Sequence, residues 1–139
     1  MTEITLSEAQ CANCTRHFAH PDMGDFAYGE ALLCTMDGRY HATVSGFTPF
    51  SERVRALISS SGSYSLWSIL ASLADPISGQ RLTFGLRCPH CASDNIVYWA
   101  GRRVGVSEVP EATFTGAAAL SEEELARRVV AAKCDGQQS

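Results

Sequence analysis

Leu86-Arg87-Cys88-Pro89-His90-Cys91, followed by the apolar run Ile96-Val97-Tyr98-Trp99, is the stretch on which the fold turns. Its counterpart near the other end of the chain is Cys11-Ala12-Asn13-Cys14. A C-x-x-C turn offers two thiolates from one tight loop, with backbone N–H groups oriented toward the sulfurs. Two such turns supply the four ligands of a closed, tetrahedral structural zinc site. Cys11, Cys14, Cys88 and Cys91 are therefore the candidate metal ligands, for one structural zinc per chain. Roughly seventy residues separate the pairs, more than a compact zinc motif uses, so the intervening chain reads as an insertion between two knuckles that meet in space. Closing so long a loop through a metal makes binding free energy part of the folding free energy.

Working outward, Ile4 and Leu6 alternate with polar neighbours and predict a short strand entering the first knuckle. His20-Pro21-Asp22-Met23-Gly24-Asp25 reads as a loop. Asp37-Gly38 predicts a type I′ hairpin turn between a strand over residues 26–34 and a second one carrying Tyr40, Ala42 and Val44. The period then changes. Thr48-Pro49 is an N-cap followed by proline at the first helical position, and Phe50, Val54, Leu57 and Ile58 fall on one helical face. Gly62 suits the stop of this helix, with a serine-rich linker behind it, and a second helix is predicted over 64–73 with Leu66, Trp67, Leu70 and Leu73 inward. Asp75-Pro76 ends that one, since the residue before proline is pushed out of the helical region.

Period two returns at Leu82, Phe84 and Leu86, delivering the chain to Cys88. Residues 95–99 and 102–106 read as strands, with Ala100-Gly101 as a hairpin turn between them. Ser121 and Glu124 form a capping box, Leu120 can staple onto Leu125, and acids open a final helix that Lys133 closes. Leu125, Val129 and Ala132 give that helix an apolar stripe. The expected fold is α+β: a small antiparallel zinc-ribbon-like sheet, two helices inserted between the knuckles, and a C-terminal helix.

The paired knuckles resemble those of the zinc-ribbon group, in which two cysteine turns on hairpins hold one zinc. The resemblance covers the knuckles and their adjoining strands. Cys88-Pro89-His90-Cys91 is the more typical knuckle; Cys11-Ala12-Asn13-Cys14 lacks the usual proline or following glycine but keeps the spacing. Members of the group include transcription factors, ribosomal proteins, enzyme subunits and adaptors, so the resemblance implies a metal and not an activity.

Two other chemistries compete for these residues. His17 and His20 follow the first pair closely and could replace a cysteine, or bind a second ion with Cys34 or His41. Cys-Pro-His-Cys is also locally similar to the active-site tetrapeptide of bacterial thioredoxin-fold thiol oxidases, where the pair starts a helix. Here an extended run follows instead, which ranks thiol–disulfide exchange at Cys88 and Cys91 third. Cys34 reads as a buried small hydrophobe and Cys134 as the end of the last helix.

The chain has 139 residues, of which 45% are hydrophobic and 19% charged, which suits one zinc-binding domain over 1–134 with a short flexible tail at 135–139. No apolar run approaches the roughly 20 residues of a membrane-spanning helix, and Met1-Thr2-Glu3-Ile4-Thr5 lacks the basic flank and apolar core of a signal peptide. The expected location is cytoplasmic. A net charge of −4 argues against broad nonspecific DNA binding, although residues 81–105 hold Arg81, Arg87, Arg102 and Arg103 against Asp94 alone. No nucleophile elbow, P-loop or dinucleotide fingerprint is present, so no catalytic residue is assigned and no enzyme is expected. The leading expectation is a protein-interaction module (an adaptor, assembly subunit or inhibitor-type partner), with Phe47, Phe50, Tyr64 and Trp67 available as contacts. The second is a zinc ribbon that binds nucleic acid through the four arginines and Phe84, Tyr98 and Trp99.

Overall fold

The computed structural model describes residues 2–23, 29–58 and 66–137. Expectations falling on residues 26–28, 59–64 and 138–139, among them the Gly62 stop and the Tyr64 contact, lie outside the described residues. The architecture is α+β, with helices and two antiparallel sheets where the sequence suggested one.

The first sheet is organised by β1 (Thr2–Cys11), which runs unbroken into the first cysteine. On one side it pairs with β2 (His17–Asp22), placing Leu6 opposite Pro21 and Ser7 opposite His20. The segment expected as a loop is thus half strand. Proline has no N–H to give to a ladder, but β2 is an edge strand, where the missing donor faces away from β1 and costs no bond.

The second side of β1 holds β6 (Ile96–Tyr98) and β7 (Arg103–Val109) end to end. Ala100-Gly101 is therefore no hairpin turn but an irregularity within one long edge. Ala100 takes φ of 55°, Gly101 N–H donates to Glu8 O at 2.9 Å, and Glu8 N–H returns a bond to Arg102 O at 2.9 Å. A Cβ on Gly101 would lie 2.9 Å from that Glu8 oxygen, so only glycine allows the approach.

The second sheet has the order β4-β3-β5, from β3 (Glu30–Thr35), β4 (His41–Ser45) and β5 (Leu82–Phe84). One face presents Ala31, Leu33, Ala42, Val44 and Leu82 to the helices and forms the main core with Val54, Ile69, Leu70, Leu125 and Val129. The β3–β4 hairpin forms where expected, but only Gly38 of its turn has positive φ, so the turn is not type I′. Asp37 instead closes the loop by side chain, its Oδ1 accepting from Thr35 Oγ1 at 2.6 Å and Arg39 N–H at 3.1 Å. The two-residue turn with two positive φ angles occurs at Ser78-Gly79, between Ile77 and Gln80.

Helix α1 (Pro49–Ile58) starts as its capping chemistry requires, with Thr48 Oγ1 accepting Ser51 N–H at 3.1 Å. Helix α2 (Leu66–Leu73) buries Ile69, Leu70, Ala71 and Leu73, with Leu66 and Trp67 half-buried beside them. A short α3 (Thr115–Ala118) is unforeseen. Helix α4 (Glu122–Gln137) is capped by Ser121 Oγ on Glu124 N–H at 3.2 Å and buries Leu125 and Val129. It extends past Lys133 to Gln137, so residues 135–137 are helical and no basic residue stands in the last turn. No helix among the described residues is long and apolar enough to cross a membrane.

Candidate metal centre

The chain passes from β1 through one cysteine turn into β2, then builds the second sheet and two helices, and re-enters the first sheet through the other turn and β6. The two turns meet. Cys11 Sγ lies 3.5 Å from Cys91 Sγ, Cys14 Sγ lies 3.6 Å from Cys88 Sγ, and all four sulfurs fall within 4.8 Å of one another. A zinc ion bound to four thiolates at about 2.3 Å has sulfur–sulfur edges of about 3.8 Å, so the four atoms already stand near tetrahedral corners. All four are free thiols, not disulfides.

Each turn is built the same way. Cys11 N–H donates to Arg16 O at 3.0 Å, and Cys88 N–H donates to Ser93 O at 2.9 Å. The sulfur of each leading cysteine accepts the N–H two residues on, from Asn13 at 3.3 Å and from His90 at 3.4 Å. These donors hold both leading sulfurs in place facing the opposite turn. Cys11 and Cys88 are fully buried in a small cluster with Ala9 and Phe18, while Cys14 is half-buried and Cys91 exposed. The site is thus dry on one side and open on the other.

Four thiols this close cannot all ionise without a cation among them. The backbone N–H of Ser93 and the Asn13 side chain pull Cys91 down to about 6. At Cys14 the backbone bond from Arg16 acts downward too, but burial and the neighbouring sulfurs outweigh it and push the thiol up to about 11. A divalent metal removes this conflict, since thiolates deprotonate on coordination. Asn13 is a residue that sequence reasoning missed: its Nδ2 reaches across to Cys91 Sγ at 3.7 Å. Its place between two cysteines was visible, but its partner lies on the opposite knuckle.

The histidines do other work. His17 Nδ1 lies 3.0 Å from Tyr98 Oη and 3.8 Å from Glu8 Oε1, and the Tyr98 hydroxyl donates to Glu8 at 2.7 Å. Buried His20 donates from Nδ1 to Pro21 O at 2.9 Å and accepts Ala100 N–H on Nε2 at 2.9 Å, which uses both ring nitrogens. Among the described residues the four cysteines are the only metal-holding group, so the second-ion alternative involving His17, His20, Cys34 or His41 is not supported. Cys34 is buried on β3 as expected, its thiol pushed up to about 11 by burial. The Cys-Pro-His-Cys segment forms a turn before β6 and does not open a helix.

The four arginines stand beside two different strands. Arg81 and Arg87 line a cavity of about 440 Å³ beside β5. Arg87 is also held inward by its Nη1 bond to Ala92 O at 3.0 Å. Arg103 opens β7 in the other sheet and Arg102 immediately precedes it, with Arg102 Nε 3.6 Å from Glu8 Oε2. Comparison of the chain with protein-family models, curated proteins and solved structures finds no match.

Proposed function

We propose that the chain is a cytosolic, non-enzymatic protein-interaction domain stapled by one structural zinc on Cys11, Cys14, Cys88 and Cys91. The observation that carries the metal is the meeting of four sulfurs, from turns some seventy residues apart, within 4.8 Å. Four thiolates complete a tetrahedral zinc shell and leave no position for substrate, which favours a structural over a catalytic ion. Two knuckles with matching hydrogen bonds favour a zinc-ribbon-like centre. Its contribution would be to tie the end of β1 to the segment that links the two sheets.

The interaction role rests on exposed apolar side chains in β5 and in and just after β6. Trp99 is 66% exposed, Val97 60% and Phe84 45%, and large aromatics of this kind anchor protein interfaces. Separation of the arginines between two sheets, with Arg102 near Glu8, counts against the nucleic-acid alternative.

Native mass spectrometry of chain purified without added metal tests the first half of this reading. One zinc per chain, absent from Cys88→Ser together with a cooperative thermal transition, is the expected result. A metal-free folded chain with a Cys88–Cys91 disulfide would overturn it and bring thiol exchange to the front.

A further inference from the structure

Strand β5 pairs with β3 only along Leu33–Thr35 and stops at Phe84, opposite Leu33. Gly85, with φ of 123°, turns the chain away toward the second knuckle. Strand β3 continues to Glu30, and that stretch pairs with β4 on its other side. On the β5 side, residues 30–32 of β3 therefore have no neighbouring strand among the described residues. Backbone polar groups along such an edge are a template for another extended chain.

This open edge forms one wall of a groove of about 860 Å³ between the two sheets. Trp67, Phe84, Leu86, Ile96 and Trp99 give it apolar and aromatic surface. Asp22, Glu30 and Asp94 bring carboxylates to it, and no lysine or arginine is among its described lining residues, Arg81 and Arg87 lying in the adjoining cavity that shares Asp94. Glu30 and Asp94 are exposed and have no ion-pair partner among the described residues. His20 adds no positive charge, because burial holds its imidazole toward the neutral form.

We propose that this groove binds an extended segment of a partner protein as an added strand beside residues 30–32, with arginine or lysine side chains alternating with apolar ones. The backbone would complete the ladder where β5 stops. Apolar side chains of the added strand would pack against Leu86, Ile96 and Trp67. Cationic side chains would meet Glu30 and Asp94, and the face of Trp99 would favour a guanidinium. The proposal rests on the interaction-domain reading and names its partner class.

The test uses the zinc-loaded full chain and a short synthetic peptide alternating arginine with valine and leucine. Two controls accompany it: a twin with glutamate for arginine, and a twin N-methylated at alternate residues so that it cannot donate to a strand edge. Tryptophan fluorescence reads binding. The expected result is binding of the arginine peptide at least tenfold tighter than of either control, weakened at least tenfold by Glu30→Lys with Asp94→Lys and by Trp99→Ala. Equal binding of the N-methylated twin, indifference to these substitutions, or no binding at all would overturn the groove assignment. Zinc content and thermal midpoint of each variant establish that it is folded. Loss of the groove result leaves the interaction-domain reading standing unless the same chain binds single-stranded RNA with strong salt dependence. That outcome would overturn both.

Discussion

Thr15 and Ala92 occupy equivalent places in the two cysteine turns, each following the second cysteine and each with φ of 64°. The left-handed conformation costs a non-glycine residue roughly 1–2 kcal/mol, and a β-branched one is the worse case. Both turns therefore carry strain that the surrounding hydrogen bonds offset, and that a metal on the four cysteines would offset further. Thr15→Gly relieves it at an exposed position, against a smaller loss of about 0.5–1 kcal/mol from the freedom glycine gains in the unfolded chain. The expected outcome is a zinc-loaded protein more stable by about 0.5–1 kcal/mol, with tighter zinc retention against a competing chelator. Ala92→Gly should give a smaller gain. A fall in the denaturation midpoint of Thr15→Gly would show that the threonine contributes something the backbone angle does not reveal.

Gly38 joins the hairpin to the metal site. Its φ is 77°, and a Cβ placed on it would stand 2.7 Å from the backbone oxygens of both Arg87 and Cys88. These atoms are backbone at the entrance to the second knuckle and cannot swing aside. Gly38→Ala should cost about 2 kcal/mol or more, through conformational strain plus displacement of the knuckle. Zinc affinity should fall with it. By contrast Gly79→Ala meets nothing within 4 Å and has φ of 76°, so it carries the strain alone. Parallel denaturant titrations and chelator competitions on the two variants check this: equal losses of zinc affinity would refute the coupling.

Asp75 ends α2 and caps α3 from a distance. Its Oδ2 accepts the Thr113 hydroxyl at 2.6 Å and Thr115 N–H at 2.8 Å, and its Oδ1 accepts Gly116 N–H at 3.1 Å. The Thr113 hydroxyl first, then the backbone donors, hold the carboxyl below the usual carboxylate range. A depressed carboxyl stabilises the fold above its unfolded value of about 3.9 and loses that contribution as pH falls through the folded value. Asp75→Ala should therefore cost about 1 kcal/mol at neutral pH, in line with loss of a helix cap. The difference from the parent should shrink toward zero in strong acid. Urea midpoints at neutral and acid pH measure it, and a pH-independent difference would rule out the ionised cap.

What could be seen in the sequence was chemistry complete within a few residues. The Thr48 cap, the Ser121 cap and the apolar faces of α1, α2 and α4 each depend on neighbours along one helix, and each formed. The cysteine pairs were legible because two thiols in one turn supply half of a tetrahedral metal shell and a second pair completes it. Less visible were features whose meaning lies in a distant partner. Ala100-Gly101 looks like a hairpin turn until β1 is found to span both flanking strands. Pro21 looks like a loop residue until β2 is known to be an edge. Asp37-Gly38 and Ser78-Gly79 are similar dipeptides, and the choice between their turn types was made by side-chain bonding and by the knuckle behind Gly38.

His41 gives the fold an acid-sensitive element separate from the metal. It stands opposite Cys34 on β4, with its Nε2 buried and lacking a hydrogen-bond partner. Burial, with nearby His20 acting in the same direction, pulls its imidazole down to about 4. An unfolded histidine titrates near 6.5, so below that pH the unfolded chain takes up a proton that the native chain refuses. Its contribution is complete above about pH 6.5, declines as pH falls toward about 4, and levels off below; the whole loss is on the order of 3 kcal/mol. His20 acts with the same sign, since protonating its Nε2 removes the acceptor for Ala100 N–H. His41→Phe keeps an aromatic ring and breaks no hydrogen bond made by the imidazole Nε2. Acid release of a metal held by the four cysteines would affect parent and variant alike, because both keep that group. The variant should therefore lose a smaller part of its stability than the parent between about pH 7 and about pH 5, by at least about 1 kcal/mol. Denaturation midpoints with zinc content recorded at each pH provide the measurement. Identical slopes for the two proteins would mean that His41 titrates in the native state as it does in the unfolded chain.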